Sequence, residues 1–471
     1  MDLQFFNTMD RKVVPFQPID AKLVRMYTCG PTVYNFAHIG NFRAYMFEDL
    51  LRRTLEYFGY PVRQVMNLTD VDDKTIRDSR AARLPLREFT AKYKQAFFED
   101  LKTLNIEPAE VYPAATDHIP QMIRLISVLM EKGFAYQAED KSIYFSIDKF
   151  PDYGKLAKID RENQRSGVRI KNDEYAKDSV ADFALWKAWD ENDGDVAWDS
   201  PWGKGRPGWH IECSAMSSEY LGDQFDIHTG GIDNMFPHHE DEIAQSEAAS
   251  GKKWVNYWLH CAHLMVNGEK MSKSLGNFFT LRDLQQKGWK GREIRWVLIG
   301  AHYRKKLNFT FEALEQARET LGRFDEFFQR MREIAQTGDG TEISQTVAGA
   351  EQAFAAAMGD DLNISEALAA MFDLQRAANR LADAGELTAA GGAEVLAAFR
   401  KFDRIIGCFE VDAVKTEEFP AEVTALAEAR IEARKAKNFA ESDRLRDEIA
   451  GLGFIVEDIP GGKYRLKTLS K

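Results

Sequence analysis

Residues 22–41, KLVRMYTCGPTVYNFAHIGN, contain the pattern that decides the class of fold. Lys22 to Tyr27 is an apolar run typical of a strand, and Gly30-Pro31 ends it. From about Asn41 apolar side chains recur near a spacing of 3.6 residues, which predicts a helix, and a second apolar run over 62–66 predicts another strand. Strand, helix and strand in this order form a βαβ unit, so we expect a Rossmann-type α/β fold with a parallel sheet. Its ligand is expected beyond the carboxyl ends of the strands.

The region after this unit has a mixed pattern. Residues 116–205 are rich in Lys and Asp and include short strands such as 142–145, which indicates an inserted connective domain. Strand character returns at 225–228 and 257–259. We therefore expect the parallel sheet to be assembled from two parts of the chain, one on each side of the insertion.

Helical patterns dominate the remainder of the chain. From Phe311 apolar residues recur at helical spacing, and the pattern continues to about residue 406 with breaks at Gly359 and near Gly385. After a short linker, residues 421–450 predict one long helix, and two apolar runs around a Pro-Gly-Gly turn at 460–462 predict a small hairpin. This order predicts a helical bundle followed by a small α+β domain.

The charge is unevenly distributed along the chain. The 471 residues carry 62 Lys and Arg against 74 Asp and Glu, and this net charge of −12 taken alone disfavours a nucleic-acid partner. Residues 341–420 hold 14 acidic and 6 basic side chains, whereas residues 266–307 hold 10 basic and 3 acidic ones. The basic stretch is suited to phosphate groups, although a solvated helix face would have the same composition.

The composition is typical of a globular enzyme of the cytoplasm. No run of 18 apolar residues is present, so we expect no membrane partner, and residues 1–11 lack the apolar core of a signal peptide. The four cysteines, at positions 29, 213, 261 and 408, lie too far apart for a typical disulfide framework.

Two short motifs carry groups suited to a nucleotide triphosphate. His38-Ile39-Gly40-Asn41 lies between the first strand and its helix, where helix N–H groups, His38 and Asn41 can donate to phosphate oxygens and Gly40 allows a flat ring to approach the backbone. Lys270-Met271-Ser272-Lys273-Ser274 places two lysines and two hydroxyls on one loop. Each motif alone is equally compatible with an ordinary helix start or a solvated basic loop.

Four further residues are suitable zinc ligands: Cys29, Cys213, His238 and Glu242. If Pro237 opens a helix, His238 and Glu242 lie one turn apart on one face. The alternative is that both cysteines are small buried hydrophobic residues, and their spacing of 184 positions does not decide between the two.

Taken together, the two nucleotide motifs resemble those of the class I aminoacyl-tRNA synthetases, with Asn41 in place of the usual final histidine. An asparagine amide still donates hydrogen bonds, so we expect its role to be kept. Over nearly its whole length the chain resembles the cysteinyl-tRNA synthetase family. Four stretches carry this resemblance: TCGPTVY (28–34), NLTDVDDK (67–74), RPGWHIECSAM (206–216) and FPHHEDE (236–242).

The resemblance implies a role for each motif. It implies a zinc ion on Cys29, Cys213, His238 and Glu242 that binds the thiolate of the substrate L-cysteine, with His239 as a neighbour of the ligands or a nucleotide contact. It further implies catalytic roles for His38, Asn41, Lys270 and Lys273. The implied ATP-binding residues are His38, Gly40, Asn41, Gly231, Asp233 and Lys273, with Mg²⁺ accompanying ATP, and the implied substrate contacts are Thr69 and Trp209.

The implied partner is tRNA(Cys), bound by a monomer. Candidate tRNA contacts are Arg304, after the lysine loop, and Arg434, Lys437 and Tyr464, near the end of the chain, although ordinary ion pairing along an exposed helix explains the same charges. The expected domains are the two halves of the catalytic domain (1–115 and 206–262), the connective insertion (116–205), a stem-contact region with the lysine loop (263–320), a helical bundle (321–412) and an anticodon-binding domain (413–471).

Two other functions remain open at this level. A cysteine ligase of the mycothiol pathway resembles the same catalytic core, but it has no use for an anticodon-binding domain. A non-catalytic tRNA-binding paralogue has no need for an intact lysine loop and a complete ligand set. The resemblance therefore favours a ligase that forms cysteinyl-AMP and transfers cysteine to the terminal adenosine of tRNA.

Overall fold

The structure is a computed structural model and describes residues 3–159, 182–272, 275–337, 343–413, 419–459 and 463–469. Its strands are β1 (Gln4–Asn7), β2 (Lys12–Pro15), β3 (Val24–Thr28), β4 (Val62–Met66), β5 (Ala135–Gln137), β6 (Ile143–Phe145), β7 (Phe183–Ala188), β8 (Gly205–Pro207), β9 (Phe225–Gly231), β10 (Val255–Cys261), β11 (Leu264–Val266), β12 (Glu269–Lys270), β13 (Leu307–Phe309), β14 (Phe454–Ile459) and β15 (Lys463–Thr468). Its α-helices are α1 (Ile39–Tyr57), α2 (Asp73–Ala82), α3 (Leu86–Thr103), α4 (Ile119–Glu131), α5 (Trp209–Leu221), α6 (His238–Ser250), α7 (Leu281–Gln286), α8 (Gly291–Ile299), α9 (Phe311–Thr337), α10 (Ser344–Gly359), α11 (Ile364–Asp383), α12 (Ala389–Ile406), α13 (Ala421–Lys435) and α14 (Phe439–Gly451). These elements form two units, Met1–Val411 and Asp412–Lys471.

A four-stranded parallel sheet lies at the centre of the first unit. Its strand order is β10–β9–β3–β4, and each neighbouring pair is parallel. The strands are buried on both faces, as expected for a sheet covered by helices. The expected fold class is thereby confirmed, and β9 and β10 supply the half of the sheet that follows the insertion.

Helix α1 connects β3 to β4 and begins slightly earlier than the periodicity indicates. The apolar spacing predicts a start near Asn41, whereas the helix starts at Ile39 because the side chain of His38 caps it. A cap of this kind satisfies backbone N–H groups that have no partner within the first turn.

The region expected to be an insertion contains α4 and a separate antiparallel sheet. The order of this sheet is β5–β6–β7–β8, with antiparallel pairing throughout. A small three-stranded sheet of order β12–β11–β13 follows β10 and carries the start of the lysine loop.

Helices α9 to α12 form the helical part of the first unit. The helical pattern that begins at Phe311 is confirmed, and helix ends fall at Gly359 and shortly before Gly385, as the sequence predicts. Phenylalanines from α9 and α12, among them Phe324 and Phe399, are fully buried and pack at a centroid distance of 5.7 Å. Among the described residues, no helix combines the length and apolarity needed to cross a membrane.

The second unit contains two helices and a hairpin. The prediction of one helix over 421–450 is wrong, because the chain turns at Lys437, whose φ is 58°, and a new helix starts after Asn438. The side chain of Asn438 accepts from the N–H of Glu441 at 3.3 Å and so caps α14. The predicted hairpin is confirmed as β14 paired with β15.

A buried ion pair joins three helical elements of the first unit. Arg295 on α8 and Asp49 on α1 are both fully buried, and their nearest N and O atoms lie 2.6 Å apart. The Arg295 guanidinium also donates to the carbonyl of Ile406 at the end of α12, at 2.6 Å. A buried charge is tolerated only with such partners, so this pair holds the lysine-loop region, α1 and the helical bundle together.

We expect Arg295→Met to lower the free energy of unfolding by about 3 kcal/mol, since it leaves the buried carboxylate of Asp49 with a reduced set of partners. Urea unfolding followed by circular dichroism measures the change. The matched control is Arg376→Met, because the Arg376–Asp373 pair is exposed and its removal should change stability little. Equal effects of the two substitutions would contradict the assignment.

Candidate active site

A cavity of about 810 Å³ opens at the carboxyl edge of the parallel sheet. Each strand contributes a residue at or just beyond its end: Cys29 after β3, Asn67 after β4, Gly231 at the end of β9 and Cys261 at the end of β10. This is the position at which open α/β sheets bind ligands.

The first nucleotide motif forms the start of α1 and lines this cavity. His38 Nδ1 accepts from the N–H of Asn41 at 3.1 Å, and Asn41 Oδ1 accepts from the N–H of His38 at 3.1 Å. The departure from the usual histidine therefore has a structural role, because an asparagine at this position completes the cap. A Cβ on Gly40 would lie 3.0 Å from the His38 ring and from the Met271 methyl group, so only glycine leaves this space open.

A backbone hydrogen bond joins the first nucleotide motif to the segment that follows the lysine loop. The N–H of Ile39 donates to the carbonyl of Phe279 at 3.0 Å, although these residues lie 240 positions apart. The ring of His38 packs edge-on against Phe278 with centroids 5.1 Å apart. The segment after the lysine loop is thereby fixed to the start of α1.

Lys270 lies at the mouth of the same cavity. It ends β12, is exposed and lines the cavity together with Met271. Asn277 holds the two sides of the loop, since its Oδ1 accepts from the N–H of Ser272 at 2.7 Å and its Nδ2 donates to the carbonyl of Lys270 at 3.2 Å. Lys273 and Ser274 lie outside the described residues.

Cys29, Cys213, His238 and Glu242 form one buried cluster, and Cys29 and His238 of this cluster line the cavity. Cys29 follows β3, Cys213 lies on α5, and His238 and Glu242 lie one turn apart on α6, which begins after Pro237 as the sequence predicts. One donor atom from each residue lies within 4.8 Å of the others, and all four residues are buried.

The geometry of this cluster fits a metal ion. Glu242 Oε1 lies 2.7 Å from His238 Nε2, yet no well-formed hydrogen bond reaches that oxygen among the described residues. His238 Nε2 also lies 3.6 Å from Cys213 Sγ. In a tetrahedral zinc site with Zn–S of about 2.3 Å and Zn–N of about 2.0 Å, neighbouring ligand atoms lie roughly 3.3–3.8 Å apart. The distance between His238 and Cys213 falls in this range, whereas the 2.7 Å between His238 and Glu242 is an ion-pair distance and would have to lengthen slightly around a bound metal.

The electrostatics of the cluster also favour positive charge. Burial opposes ionisation of Glu242, but His238 and His228 hold the pKa of this carboxyl at about 2. Burial likewise opposes the charged form of His238, yet Glu242 and Cys213 raise the pKa of its imidazole well above the usual value. A hydrogen bond with Cys29 lowers the pKa of Cys213 to about 6. Cys213 and Glu242 therefore carry negative charge, whereas the hydrogen bond with Cys213 raises the pKa of Cys29 well above its usual value. A divalent cation would attract the two anions and displace the protons of Cys29 and His238.

A second set of donors overlaps the first. His228 and His239 can replace Cys213 and His238 as neighbours of Cys29 and Glu242. His239 Nε2 lies 3.3 Å from Cys29 Sγ, and its Nδ1 lies 2.9 Å from His260 Nε2. Burial lowers the pKa of His239 well below its usual value. The set with two thiols is the better zinc site, and the neutral His239 is a hydrogen-bonding neighbour.

Sequence reasoning missed three buried histidines around the cluster: His210, His228 and His260. His228 Nε2 lies 2.7 Å from Glu242 Oε2, and His210 Nδ1 lies 2.8 Å from His238 Nδ1. The available signal was their position, since His228 lies in β9 and His260 in β10, near the carboxyl ends of predicted parallel strands.

The two residues expected to contact the amino acid lie beside the cluster. Thr69 Oγ1 donates to the buried Glu212 Oε2 at 2.9 Å. Trp209 is 41% exposed and stacks on His238, with centroids 4.1 Å apart and ring planes at 18°. Both line the cavity, so Trp209 covers a ligand residue on the side that a bound molecule approaches.

Gly231, the last residue of β9, and Asp233 line the same cavity. A Cβ on Gly231 would come within 2.4 Å of Asp233 Oδ1, so the glycine allows this carboxylate to fold back over the strand end. The Asp233 side chain is 70% exposed and lies 4.0 Å from His263 Nδ1. Its oxygens remain accessible to a ligand in the cavity.

Arg304 has strong partners within the first unit. Its guanidinium pairs with Asp361 at 2.6 Å and lies over the ring of Phe6 at 4.5 Å from the centroid. The side chain is 39% exposed. The guanidinium therefore stabilises the first unit through its ion pair with Asp361 and is also partly accessible from solvent.

The C-terminal candidates differ in exposure. Arg434 pairs with Asp458 at 3.0 Å, next to the buried Arg430, which binds the same carboxylate at 2.6 and 3.1 Å. Lys437 is exposed in the turn between α13 and α14. Tyr464 lies on β15 and packs partly against the small core of this unit. Of the two cations among these candidates, Lys437 is exposed, whereas Arg434 is paired with Asp458.

Glu48 is a buried acid beside the site that the sequence analysis did not identify. It lies on α1, is fully buried, and its Oε1 accepts from Thr229 Oγ1 at 2.9 Å. Oε2 has no hydrogen-bond partner among the described residues. Burial raises the pKa of Glu48 to about 8, against the opposing effect of Thr229.

The chain matches three family models in sequence. Residues 15–319 match the class I (C) tRNA synthetase catalytic domain, residues 353–410 a DALR domain, and residues 416–464 the cysteinyl-tRNA ligase anticodon-binding domain.

Relatives of similar length are about half identical to this chain. A cysteine–tRNA ligase of Protochlamydia amoebophila is 51% identical over 468 residues, which cover 99% of this chain and 98% of the relative. One from Brachyspira hyodysenteriae is 50% identical over 476 residues and covers 99% of this chain and 100% of the relative. Among solved structures, Mycobacterium tuberculosis methionyl-tRNA synthetase in complex with methionyl-adenylate shares the fold, with a TM-score of 0.62 at 14% identity over 82% of this chain and 92% of that chain.

We expect Glu48→Gln to stabilise the protein increasingly as the pH rises from 5.5 to 8. The folded state keeps the Glu48 proton up to a pKa of about 8, whereas the unfolded chain loses it near 4.5, so wild-type stability falls over this interval and the glutamine variant escapes the loss. The difference in free energy of unfolding between the two proteins should change by about 3 kcal/mol from pH 5.5 to pH 8. Glu319→Gln, at an exposed position on α9, should show no such pH-dependent difference; a parallel response of both variants would contradict the burial argument.

Proposed function

The chain belongs to the cysteine–tRNA ligase family of class I aminoacyl-tRNA synthetases, and from this membership we propose that it activates L-cysteine with ATP and transfers it to the 3′-terminal adenosine of tRNA(Cys). The observation that carries the proposal is the buried cluster of Cys29, Cys213, His238 and Glu242, which reaches the cavity through Cys29 and His238, together with the residues of both nucleotide motifs that line the same cavity. The metal site that binds the amino-acid side chain and the site that binds ATP would thus lie in the same cavity.

We propose that one zinc ion binds to Cys29, Cys213, His238 and Glu242. When bound, zinc supplies a Lewis acid that favours the thiolate of the substrate over a neutral hydroxyl. A pocket based on shape alone separates near-isosteres such as cysteine and serine by only about 100-fold. Selection by the metal would therefore remove the need for a separate editing domain.

Adenylation requires positioning and charge stabilisation rather than proton transfer. The carboxylate of the amino acid is already ionised, so it attacks the α-phosphorus of ATP without a general base, and pyrophosphate leaves. His38, Asn41 and the N-terminus of α1 would hold phosphate oxygens, with Gly40 leaving space for the adenine ring. Lys270 and Lys273 would neutralise charge on the departing pyrophosphate, and Mg²⁺ would accompany ATP.

The remaining cavity walls would hold adenosine and cysteine. Gly231 allows close approach of the ribose, and the exposed Asp233 can accept from its hydroxyl groups. Trp209, stacked on His238, would cover the bound side chain, and Thr69 would lie beside it. A hydroxyl of the terminal adenosine of tRNA then attacks the carbonyl carbon of cysteinyl-AMP, and AMP is released.

We propose that the remainder of the chain positions tRNA for a monomer in the cytoplasm. Residues 263–320 would contact the stem through a basic surface that includes Arg304, and residues 413–471 would bind the anticodon, with Arg434, Lys437 and Tyr464 as contacts. The same proposal includes the limits of the other domains. These are the catalytic domain in two halves (1–115 and 206–262), the connective insertion (116–205) and the helical bundle (321–412). The near-neutral charge of the last 51 residues suits stacking contacts and a few placed cations.

The purified chain should support ATP–pyrophosphate exchange that depends on cysteine and on no other amino acid, followed by charging of tRNA(Cys). Exchange is measured with each amino acid in turn, then charging with purified tRNA. Absence of cysteine-dependent exchange would contradict the ligase proposal. Exchange without tRNA charging would instead favour a ligase with a small-molecule acceptor.

We expect Cys213→Ala to lower the zinc content from about one ion per chain to a small fraction, because a ligand is removed. Discrimination against serine in the exchange assay should then fall towards the roughly 100-fold that a pocket without metal achieves. Metal is measured by mass spectrometry of the dialysed protein. Cys408→Ala is the control, since Cys408 is equally buried but lies in the helical part of the chain, where its thiol faces the carbonyl of Ile406 at 3.6 Å. A Cys213→Ala protein that keeps both zinc and discrimination would refute the metal argument.

A further inference from the structure

A chain of hydrogen bonds runs from the inserted segment to the metal-ligand candidate His238. Tyr153 donates its hydroxyl proton to Asp241 Oδ1 at 2.5 Å, Asp241 Oδ2 lies 3.2 Å from His210 Nε2, and His210 Nδ1 lies 2.8 Å from His238 Nδ1. All four side chains are at least nine-tenths buried. Tyr153 belongs to the region after β6, whereas the other three residues lie on α5 and α6.

The direction of these hydrogen bonds follows from the face that His238 presents to the cluster. His238 Nε2 points at Cys213 and Glu242, so Nδ1 must carry the proton if Nε2 is to bind a metal. That proton is donated to His210 Nδ1, which leaves the proton of His210 on Nε2, where Asp241 accepts it. The carboxylate of Asp241 thus selects one tautomer in each of two rings.

Several contacts fix residues 153–157 of the inserted segment to helix α6, so that Tyr153 is held beside Asp241. Glu240, adjacent to Asp241, accepts the backbone N–H groups of Gly154, Leu156 and Ala157 at 2.8, 3.0 and 2.9 Å. Lys155 adds an ion pair with Glu247 on the same helix. The hydroxyl of Tyr153 is therefore held against the first turn of α6 by contacts on the following residues.

We propose that Tyr153 is a positioning residue for His238, acting through Asp241 and His210, so that the inserted segment helps the sheet domain to retain its metal. The inference rests on the zinc site of the proposed function. It assigns to the insertion a role in metal retention that is separate from any contact with substrate or tRNA.

The first test compares two tyrosine hydroxyls of the inserted segment. Tyr153→Phe should accelerate release of zinc from the loaded full-length protein about tenfold, the lower end of the effect of removing an outer partner of a metal-bound histidine. Tyr136→Phe is the matched control, because Tyr136 also donates to a carboxylate, Asp182, at 2.8 Å but lies on the exposed side of the small sheet. Release is followed with a chromophoric chelator, and the control should match the wild type within about twofold.

A second variant tests the tautomer argument and covers the case in which Tyr153→Phe fails to fold. In Asp241→Asn an amide N–H can face His210 Nε2, which favours the proton of His210 on Nδ1 and so forces the proton of His238 onto the metal-binding Nε2. We expect a loss of zinc affinity of roughly 10- to 100-fold. In the exchange assay, the KM for cysteine should rise while the KM for ATP stays unchanged.

The outcomes separate this inference from the proposed function. A wild-type protein without stoichiometric zinc overturns the zinc proposal and this inference with it. A zinc-loaded wild type with unchanged release in Tyr153→Phe and Asp241→Asn overturns this inference alone. Equal acceleration in Tyr153→Phe and Tyr136→Phe, or equal rises in the KM of cysteine and ATP, indicates a general loss of structure and also overturns it.

Discussion

Parallel strands all end at one edge of their sheet, and the site of this protein depends on that constraint. The order β10–β9–β3–β4 places Cys29, Asn67, Gly231 and Cys261 around one cavity, although they span more than 230 positions of the chain. Helix α1 starts at the same edge and adds its capping residues. Among the described residues, His38, Gly40, Asn41, Gly231 and Asp233 reach the cavity from the ends of β3 and β9 or from the start of α1.

Two clusters of buried charge among the described residues differ in how completely their polar groups are paired. Asp49 and Arg295 pair with each other, Arg295 also donates to backbone carbonyls such as that of Ile406, and Asp49 accepts from the N–H of Glu107. The cluster around Glu242 pairs two histidines with one carboxylate. The two cases differ in outcome: the first set of partners is complete and structural, whereas the second leaves an oxygen without a hydrogen bond and favours a cation. The cluster around Glu242 differs from the pair of Asp49 and Arg295 chiefly in its donor set, because it combines two thiols, an imidazole and a carboxylate within 4.8 Å of one another.

Much of the fold can be predicted from the spacing of apolar residues and from the Gly and Pro residues that end helices and strands. The βαβ unit, the helical pattern from Phe311, the helix after Pro237 and the terminal hairpin were all predictable. The single helix expected over 421–450 was not correct, because Asn438 caps a new helix after the turn at Lys437. The signal was present, an asparagine followed three residues later by an acid, but the helical periodicity on both sides of the turn obscured it.

The sequence by itself determined the chemistry of the site: two thiols, an imidazole, a carboxylate and two motifs suited to a triphosphate, because these depend on which side chains are present. Only the tertiary structure decided how these groups are held. It joined the first motif to the segment after the lysine loop through Ile39 and Phe279 and surrounded the ligand candidates with three further histidines. It also connected Tyr153 to His238 through two intermediate side chains. Local patterns describe neighbours along the chain, whereas hydrogen-bond partners, tautomers and pKa values depend on groups that only folding brings within about 3 Å.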